Sequence, residues 1–268
     1  MLDRYDYGIL GVGEIGAAIV TGLCQGADDA PRILLSPRNA ERAAALAARF
    51  PSVAVAPDNQ SLVTRSATLV LAVRPQGSRA VLAGLAFRPD QAIVSLMAGI
   101  TAAELMPLVA PARDIARAVP LPPVARRAGV TPVYPGTAAA RVLFDRLGGA
   151  AAVDEAGAFE AMSAATGSVA AHLRYVGAIS EWLGSQGVAP PQAERYVRTI
   201  FANVAEELGG GQGDLDELAR AHATPGGINE RFRAMLDDAG VFATVSRSLQ
   251  VIYDQLRAEG RRVPGAGR

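Results

Sequence analysis

The fold is decided by one stretch near the start of the chain, Tyr7-Gly8-Ile9-Leu10-Gly11-Val12-Gly13-Glu14-Ile15-Gly16. The pattern predicts a short apolar strand, a glycine turn and the first turn of a helix over residues 14–25. The three glycines allow, in order, a tight turn, close approach of a pyrophosphate and close packing of the helix. The helix directs free N–H groups towards phosphate. The stretch therefore predicts a dinucleotide site with contacts from Gly11, Val12, Gly13, Glu14, Ile15 and Gly16.

The second strand, predicted over residues 32–36 before a helix over 39–50, indicates which dinucleotide is bound. NAD enzymes place an acidic residue at its end, about twenty residues after the glycines, to bind the ribose 2′-hydroxyl. This chain has Ser36-Pro37-Arg38-Asn39 instead. The Ser36 hydroxyl, the Arg38 guanidinium and a helix N-terminus suit a 2′-phosphate, so the sequence predicts NADP(H) in preference to NAD(H). In the alternative interpretation, Arg38 is merely solvated and Asn39 merely caps the helix.

Further strands are predicted over residues 53–55, 68–73, 92–96 and 113–119, with helices over 58–66 and 76–85. In an open α/β sheet the carboxyl ends of the strands line the ligand crevice. We therefore expect Val73, Arg74 and Pro75 beside the cofactor, and Ala98 and Gly99 where a nicotinamide lies against backbone. A salt-bridged surface position is the alternative interpretation of Arg74.

The alternation of strands and helices continues to residue 153, with short strands over 129–135 and 150–153 around a helix over 137–146. Such alternation is typical of a parallel, doubly wound sheet of Rossmann type. From Asp154 onward only helices are predicted, over residues 155–165, 169–186, 191–208, 214–221, 228–239 and 241–259. Several are apolar beyond what one face requires, as in a bundle or a subunit interface. We predict an α/β fold with a dinucleotide-binding domain over 1–153, an all-α dimerisation and substrate domain over 154–260, and a disordered tail over 261–268.

Composition excludes several classes of function. The 26 basic and 26 acidic residues balance, so neither nucleic acid nor a membrane surface is expected as a partner. All the basic residues are arginine, which excludes mechanisms that need a lysine amine. The single cysteine, Cys24, is expected as a small buried helix residue. With no signal peptide at the N-terminus, a cytoplasmic protein is expected.

The order of these segments resembles the pyrroline-5-carboxylate reductase family over nearly the whole chain. The matching motifs are the glycine loop, Ser36-x-Arg38, Val73-Arg74-Pro75 for Val-Lys-Pro, residues 95–100 for Ser-x-x-Ala-Gly-Ile, Arg117-Ala118-Val119-Pro120 for Arg-x-Met-Pro, and Thr224-Pro225-Gly226-Gly227 for Ser-Pro-Gly-Gly. The resemblance implies hydride transfer from NAD(P)H to the C=N carbon of a cyclic imino acid, giving proline. It also implies a homodimer or higher oligomer, in which helical domains interleave and the last motif holds the substrate carboxylate at the interface.

The residues of that last motif support the same role by themselves. Two glycines before a helix that begins near Ile228 leave consecutive backbone N–H groups free, which suits a carboxylate. The candidate substrate-binding residues are Thr224, Pro225, Gly226, Gly227, Ile228 and Asn229. A glycine turn with an asparagine cap is the alternative interpretation.

Three departures from the family pattern leave the substrate open. The family's Asn-Thr after Met-Pro is replaced by Leu121-Pro122, and its Gly-Ser-Gly-Pro-Ala-Tyr segment is replaced by residues 166–172. The threonine expected two places after the double glycine is Asn229. The alternatives are therefore a reductase of a different imine or of a keto compound, and a non-catalytic NADP-binding protein.

Imine reduction requires mainly that the nicotinamide C4 and the imine carbon are held about 3–3.5 Å apart. The substrate nitrogen can arrive protonated, so a dedicated acid is optional. The catalytic candidates are Asn229, Thr224 and His172, the last of which stands where the family has a tyrosine. His222, near the loop, is a weaker candidate. Two isolated histidines without a cysteine neighbour give no metal site.

Overall fold

The computed structural model describes residues 4–211 and 213–259. Its eight strands form one sheet in the order β3-β2-β1-β4-β5-β6-β7-β8. The strands are β1 (Tyr5–Leu10), β2 (Ile33–Leu35), β3 (Val53–Val55), β4 (Ser66–Leu71), β5 (Ala92–Ser95), β6 (Asp114–Ala118), β7 (Thr131–Tyr134) and β8 (Ala150–Ala152). The tail predicted over 261–268 lies outside the described residues.

Six helices lie between these strands, and six follow them. The first six are α1 (Glu14–Cys24), α2 (Ala40–Arg49), α3 (Asn59–Arg65), α4 (Ser78–Leu82), α5 (Ala102–Val109) and α6 (Ala138–Asp145). The rest are α7 (Ala156–Ala165), α8 (Ser168–Ser185), α9 (Pro190–Gly209), α10 (Leu215–Ala221), α11 (Ile228–Asp238) and α12 (Val241–Glu259). The helices predicted after residue 154 are all present, with ends within a few residues of those expected.

The sheet reverses its direction of growth beside the first strand. Strand β1 pairs in parallel with β2 on one side and with β4 on the other. The chain therefore builds outward to β3, returns to β4 and continues to β5 and β6. This reversal is the topological switch point at which open α/β sheets bind dinucleotides, and the predicted Rossmann-type fold is confirmed.

Strand β7 departs from the predicted all-parallel sheet, because it runs antiparallel to β6, with Arg117 opposite Tyr134. The connection between the two strands contains only a short 3₁₀ helix, Pro122–Arg126. A parallel return needs a longer crossover, usually an α-helix, and the three prolines between 120 and 123 oppose one here. The parallel pattern resumes at β8, which pairs in parallel with β7.

Helix α4 is shorter than the predicted span of 76–85. Glycines in the left-handed region lie on both sides of it, Gly77 with φ of 91° at its start and Gly84 with φ of 82° after its end. Strand β4 ends at Leu71, earlier than predicted, so Val73 lies in the loop beyond it. Both differences lengthen the irregular backbone at the carboxyl edge of the sheet.

The core lies on both faces of the sheet, as expected for central parallel strands. One face packs Ile9, Val70 and Val94 against α1, where Cys24 is buried as predicted. Burial raises the pKa of the Cys24 thiol. The opposite face packs Leu10 and Leu69 with the apolar sides of α3 and α5.

The described chain divides into two compact units. One holds the sheet, with residues up to Ser163 and those from Asp254 onward, and the other holds Ala164–Tyr253. In the second unit α8 has no buried residue, and α9 buries Ala193 and Val197. Among the described helices, none is both long and apolar enough to cross a membrane.

Candidate functional site

The glycine loop joins β1 to α1 at the switch point of the sheet. Gly11 has φ of 106°, and a Cβ there would lie 2.7 Å from the carbonyl of Ala72 in the strand-end segment next to it. A Cβ on Gly16 would lie 2.5 Å from the Gly11 carbonyl oxygen. Both positions therefore require glycine for the loop itself to form.

Gly13 differs, since a Cβ added there would meet nothing within 4 Å. It is the N-cap of α1 and its side of the loop is open. The N–H groups of Glu14, Ile15 and Gly16 donate to no other described residue, because the helical bonds begin with Ala17 donating to Gly13. Free amides at a helix N-terminus, beside a position without a side chain, fit a pyrophosphate.

Two side chains from the segment after β2 hold this loop in place. The Gly11 N–H donates to Ser36 Oγ at 2.9 Å, and Asn39 Nδ2 donates to the Val12 carbonyl at 3.0 Å. Ser36 is 2% exposed, so its hydroxyl oxygen holds the glycine loop from inside the fold. Asn39 makes no side-chain cap on α2, unlike the alternative considered from the sequence.

Arg38 lies between these two residues and is exposed. No described residue forms a hydrogen bond or ion pair with its guanidinium. One turn into α2, Arg42 is paired with Glu14 of the glycine loop, with Nη2 and Oε1 2.5 Å apart. Sequence reasoning missed Arg42, because its partner lies 28 positions away. The pair places a second guanidinium beside the loop.

The two other predicted cofactor segments follow the strands next in the sheet. Val73, Arg74 and Pro75 come after β4, and Ala98 and Gly99 come after β5, whose residues pair in register with those of β4. The carboxyl ends of β1, β4 and β5 are adjacent, so these segments share one edge with the glycine loop. Arg74 is exposed and forms no ion pair within the described chain, contrary to the salt-bridged alternative.

In the helical unit, a cavity of about 860 Å³ brings together two of the three predicted catalytic residues. It is lined from α8, α11 and α12 by residues that include His172, Tyr175, Asn229, Phe232, Phe242 and Leu249. Thr224 is not among the lining residues. Tyr175, which sequence reasoning did not single out, adds a phenol whose pKa burial raises, so it keeps its proton at neutral pH.

The loop at residues 224–229 differs from the predicted cradle. The Gly226 N–H donates to Glu230 Oε2 at 2.6 Å, and the Gly227 N–H donates to the Thr224 carbonyl at 2.8 Å. The glycine amides are therefore not free, because the turn and the first turn of α11 use them. The N–H groups of Ile228, Asn229 and Glu230 donate to no described residue.

The side chain of Asn229 is also engaged, since its Nδ2 donates to the His222 carbonyl at 2.9 Å. The His222 ring lies 2.6 Å from Glu207 Oε2, so this histidine is held by a carboxylate on α9. His172 packs edge-on against Phe201. Within the described ranges, no group of three or more histidine, cysteine, aspartate or glutamate side chains could hold a metal ion.

A family model described as NADP oxidoreductase coenzyme F420-dependent matches residues 6–99. This range begins in β1 and ends at Gly99, so it contains the glycine loop and the segments after β2, β4 and β5. A pyrroline-5-carboxylate reductase from Pseudomonas aeruginosa is 26% identical over 250 residues, covering 90% of this chain and 91% of that protein.

Two solved structures share the fold. A 1-pyrroline-5-carboxylate reductase from Streptococcus pyogenes has a TM-score of 0.78 at 24% identity, covering 95% of this chain and 99% of that one. A pyrroline carboxylate reductase from Plasmodium falciparum, solved with NADP bound, has a TM-score of 0.77 at 16% identity, covering 97% and 100%. The likeness therefore extends through the sheet and the helices that follow.

Proposed function

We propose that this chain, which belongs to the pyrroline-5-carboxylate reductase family, reduces the C=N bond of a cyclic imino acid of the pyrroline-5-carboxylate type to give proline. The protein is an NAD(P)-dependent oxidoreductase. The observation that carries the proposal is the similarity to the Pseudomonas aeruginosa enzyme over 90% of this chain, because it includes the helices that follow the nucleotide-binding sheet.

We infer a preference for NADPH over NADH from the segment after β2. Arg38 is exposed and free to pair with a 2′-phosphate, and no acidic residue occupies residues 36–39. The bound NADP of the Plasmodium falciparum protein supports the same choice. In this assignment Ser36 and Asn39 fix the loop that takes the pyrophosphate, and Arg38 reads the phosphate on the ribose.

The reaction needs few groups from the protein. A nicotinamide cofactor held by the glycine loop and by Ala98 and Gly99 would supply a hydride to the imine carbon, and the electron pair of the C=N π bond would go to the nitrogen. A nitrogen that arrives protonated needs no further acid, which agrees with a chain that has no lysine. We place the nicotinamide against the backbone of Ala98 and Gly99. The main contribution of the protein to the rate would be to hold C4 of the cofactor and the imine carbon in contact.

The substrate is assigned to the helical unit. We place its carboxylate at residues 224–229, where the amides of Ile228, Asn229 and Glu230 point out of the start of α11. His172 and Asn229 share one cavity there, and Tyr175 is a protonated neighbour in the same cavity.

A homodimer formed by the C-terminal helices is part of the proposal. Large apolar side chains are exposed on α8, α9, α11 and α12, among them Leu173, Trp182, Tyr196, Phe232 and Phe242. Large apolar side chains exposed on several helices are typical of a subunit interface. We further infer a cytoplasmic enzyme, in keeping with one buried cysteine.

The purified full-length protein tests the function directly. With 1-pyrroline-5-carboxylate present, NADPH oxidation should be saturable, and deuterium carried at C4 of the cofactor should appear in the proline formed. Assays with a carboxylate-free cyclic imine and with a keto acid distinguish other reductases. Binding of NADPH without turnover of any of these compounds would refute the proposal in favour of a non-catalytic binding protein.

A further inference from the structure

Arg233 brings a positive charge to the cavity of the helical unit. It lies on α11 and lines the cavity together with His172, Tyr175 and Asn229. Its side chain is exposed, and its guanidinium forms no hydrogen bond or ion pair with any described residue. Because a guanidinium keeps its charge throughout the physiological pH range, the cavity contains a permanent cation without a partner in the described chain.

The rest of the lining does not neutralise this charge. The described lining residues include no aspartate or glutamate and are mainly apolar, among them Phe232, Leu236 and Phe242. Glu230, three positions before Arg233 on α11, accepts the Gly226 N–H and forms no ion pair with Arg233. A carboxylate that enters an apolar cavity must be paired there, because an unpaired one is costly to remove from water. The lining therefore fits an anion with a small apolar body.

Arg233 also stands one helical turn beyond the start of α11. Asn229 and Arg233 are four positions apart, so they lie one above the other on the face of α11 that lines the cavity. The Cα–Cβ bonds of a helix tilt towards its N-terminus, so the Arg233 side chain leaves α11 in the direction of the first turn. The N–H groups of Ile228, Asn229 and Glu230 in that turn donate to no described residue. A carboxylate beside the turn is therefore within the direction of both sets of donors.

We propose that Arg233 is a specificity-determining residue that binds the carboxylate of the imino acid, and so favours imino acids over cyclic imines without a carboxylate. A guanidinium and a carboxylate form two parallel charge-assisted hydrogen bonds, which fix the orientation of the ligand as well as adding affinity. The ring of the substrate then lies against the apolar lining. This inference rests on the proposed function and deepens it, because it names the side chain that recognises the carboxylate.

The test compares 1-pyrroline-5-carboxylate with 1-pyrroline, each reduced with NADPH by the full-length protein. Arg233→Met removes the charge and keeps an unbranched apolar side chain. The ratio of kcat/KM for the imino acid to that for the imine should fall about tenfold or more, because the charge-assisted pair is lost for the first compound alone. Arg233→Lys keeps a charge without the planar fork and should restore part of the ratio.

Arg231→Met is the matched control. This exposed arginine lies two positions earlier on α11 and is not among the residues that line the cavity. The substitution removes the same charge from the same helix, so it should leave the ratio at its wild-type value.

The outcomes separate the inference from the function on which it rests. If the imino acid is reduced and Arg233→Met changes the ratio less than about twofold, the inference is wrong while the proposed function stands. An equal fall of the ratio in Arg231→Met would also overturn the inference, because the position of the cation would then not matter. If the wild-type protein does not reduce the imino acid, the proposed function fails, and the inference fails with it.

Inhibition of the wild-type protein provides a second measurement that does not depend on how the variants fold. Cyclopentanecarboxylate and cyclopentanecarboxamide have the same ring and differ mainly in charge. The acid should inhibit the wild-type protein about tenfold more strongly than the amide at neutral pH, and Arg233→Met should lose this preference. Inhibition of the wild-type protein by the amide that equals or exceeds inhibition by the acid would overturn the inference.

Discussion

Arg117 and Glu160 form an ion pair inside the unit that contains the sheet, with Nη1 and Oε1 2.6 Å apart and side chains 7% and 8% exposed. The Arg117 guanidinium also lies over the ring of Phe159, 4.6 Å from its centroid. Its Nε is buried without a hydrogen-bond partner. The pair ties the carboxyl end of β6 to α7, close in sequence to the proline-rich turn.

Removal of one partner should be costly, because it leaves a charge buried and unpaired. We expect Glu160→Leu to lower the free energy of unfolding by about 3–5 kcal/mol. Glu181→Leu breaks an ion pair with Arg174 whose side chains are 68% and 66% exposed, and should cost less than about 1 kcal/mol. Denaturant unfolding of both variants provides the comparison, and equal losses would contradict the buried pair's role.

A substitution at Gly13 should weaken the binding of NADPH without lowering the stability of the fold. Its φ of −83° and the open space around it allow an alanine without strain, so Gly13→Ala should change the free energy of unfolding by less than about 1 kcal/mol. The added methyl stands where the pyrophosphate approaches, so we expect the Kd for NADPH to rise on the order of tenfold, about 1.4 kcal/mol.

Gly11→Ala is the contrasting variant, since its φ and the nearby Ala72 carbonyl strain any side chain, and it should lose stability as well as binding. Fluorescence titration with NADPH and denaturant unfolding distinguish the two effects. Full retention of binding in Gly13→Ala would contradict the assignment of the pyrophosphate to this loop.

Arg38 should discriminate between the two nicotinamide cofactors. Arg38→Ala is expected to raise the Kd for NADPH on the order of tenfold or more while changing the Kd for NADH about twofold at most, because only NADPH carries the 2′-phosphate. Arg113→Ala is the control, because this exposed arginine precedes β6 at the amino ends of the parallel strands, whereas the glycine loop follows the carboxyl end of β1. A similar loss of affinity for both cofactors would show that Arg38 does not bind the 2′-phosphate.

Local pattern was enough to predict the elements of the fold and the glycine loop, since turn chemistry and strand periodicity act over a few residues. The bracing of that loop by Ser36 and Asn39 was not predictable in the same way. Those bonds depend on the register of β1 with β2, in which Ile9 lies opposite Leu35. The antiparallel direction of β7 likewise depends on how a proline-rich connection packs.

The loop at residues 224–229, in the helical part of the chain, was likewise only partly predictable from local sequence pattern. Its glycines and the helix start were predictable, and α11 begins at Ile228 as expected. The acceptance of the Gly226 N–H by Glu230 was not, because a glutamate at the third position of a helix can either reach back to an N–H before the helix or extend into solvent. Only the coordinates show which amide it accepts from.

Asp58 gives a prediction about pH and stability. It is the N-cap of α3, and the Ser61 N–H that its carboxylate accepts lowers the pKa of Asp58 from its ordinary value of 3.8. A depressed folded-state pKa adds stability above the unfolded value, and this stability is lost as the pH falls through the folded value. Asp58→Asn keeps an acceptor without the charge, so it should be less stable than wild type at pH about 7 and should approach it near pH about 2.

Asp58→Ala loses the acceptor itself and should be destabilised at both pH values. Urea unfolding midpoints of the three proteins provide the measurement. A difference between Asp58→Asn and wild type that does not change with pH would contradict the role of the charge.

Trp182 tests whether the helical unit forms the subunit interface. Its side chain is 60% exposed on α8, a helix without a buried residue in the described chain, so an aromatic surface is left uncovered in the single subunit. Tryptophans at the centre of interfaces commonly contribute about 2 kcal/mol or more to binding. Trp182→Arg should therefore raise the dimer dissociation constant by about 30-fold or more, measured by sedimentation equilibrium. Met106→Arg, on α5 of the sheet-containing unit and 53% exposed, adds the same charge outside the helical unit and should leave the dimer intact.

Because the substrate is assigned to the helical unit, the Trp182 variant should also lose turnover at concentrations where it is monomeric while still binding NADPH. A Trp182 variant that remains a dimer with unchanged affinity would place the interface elsewhere.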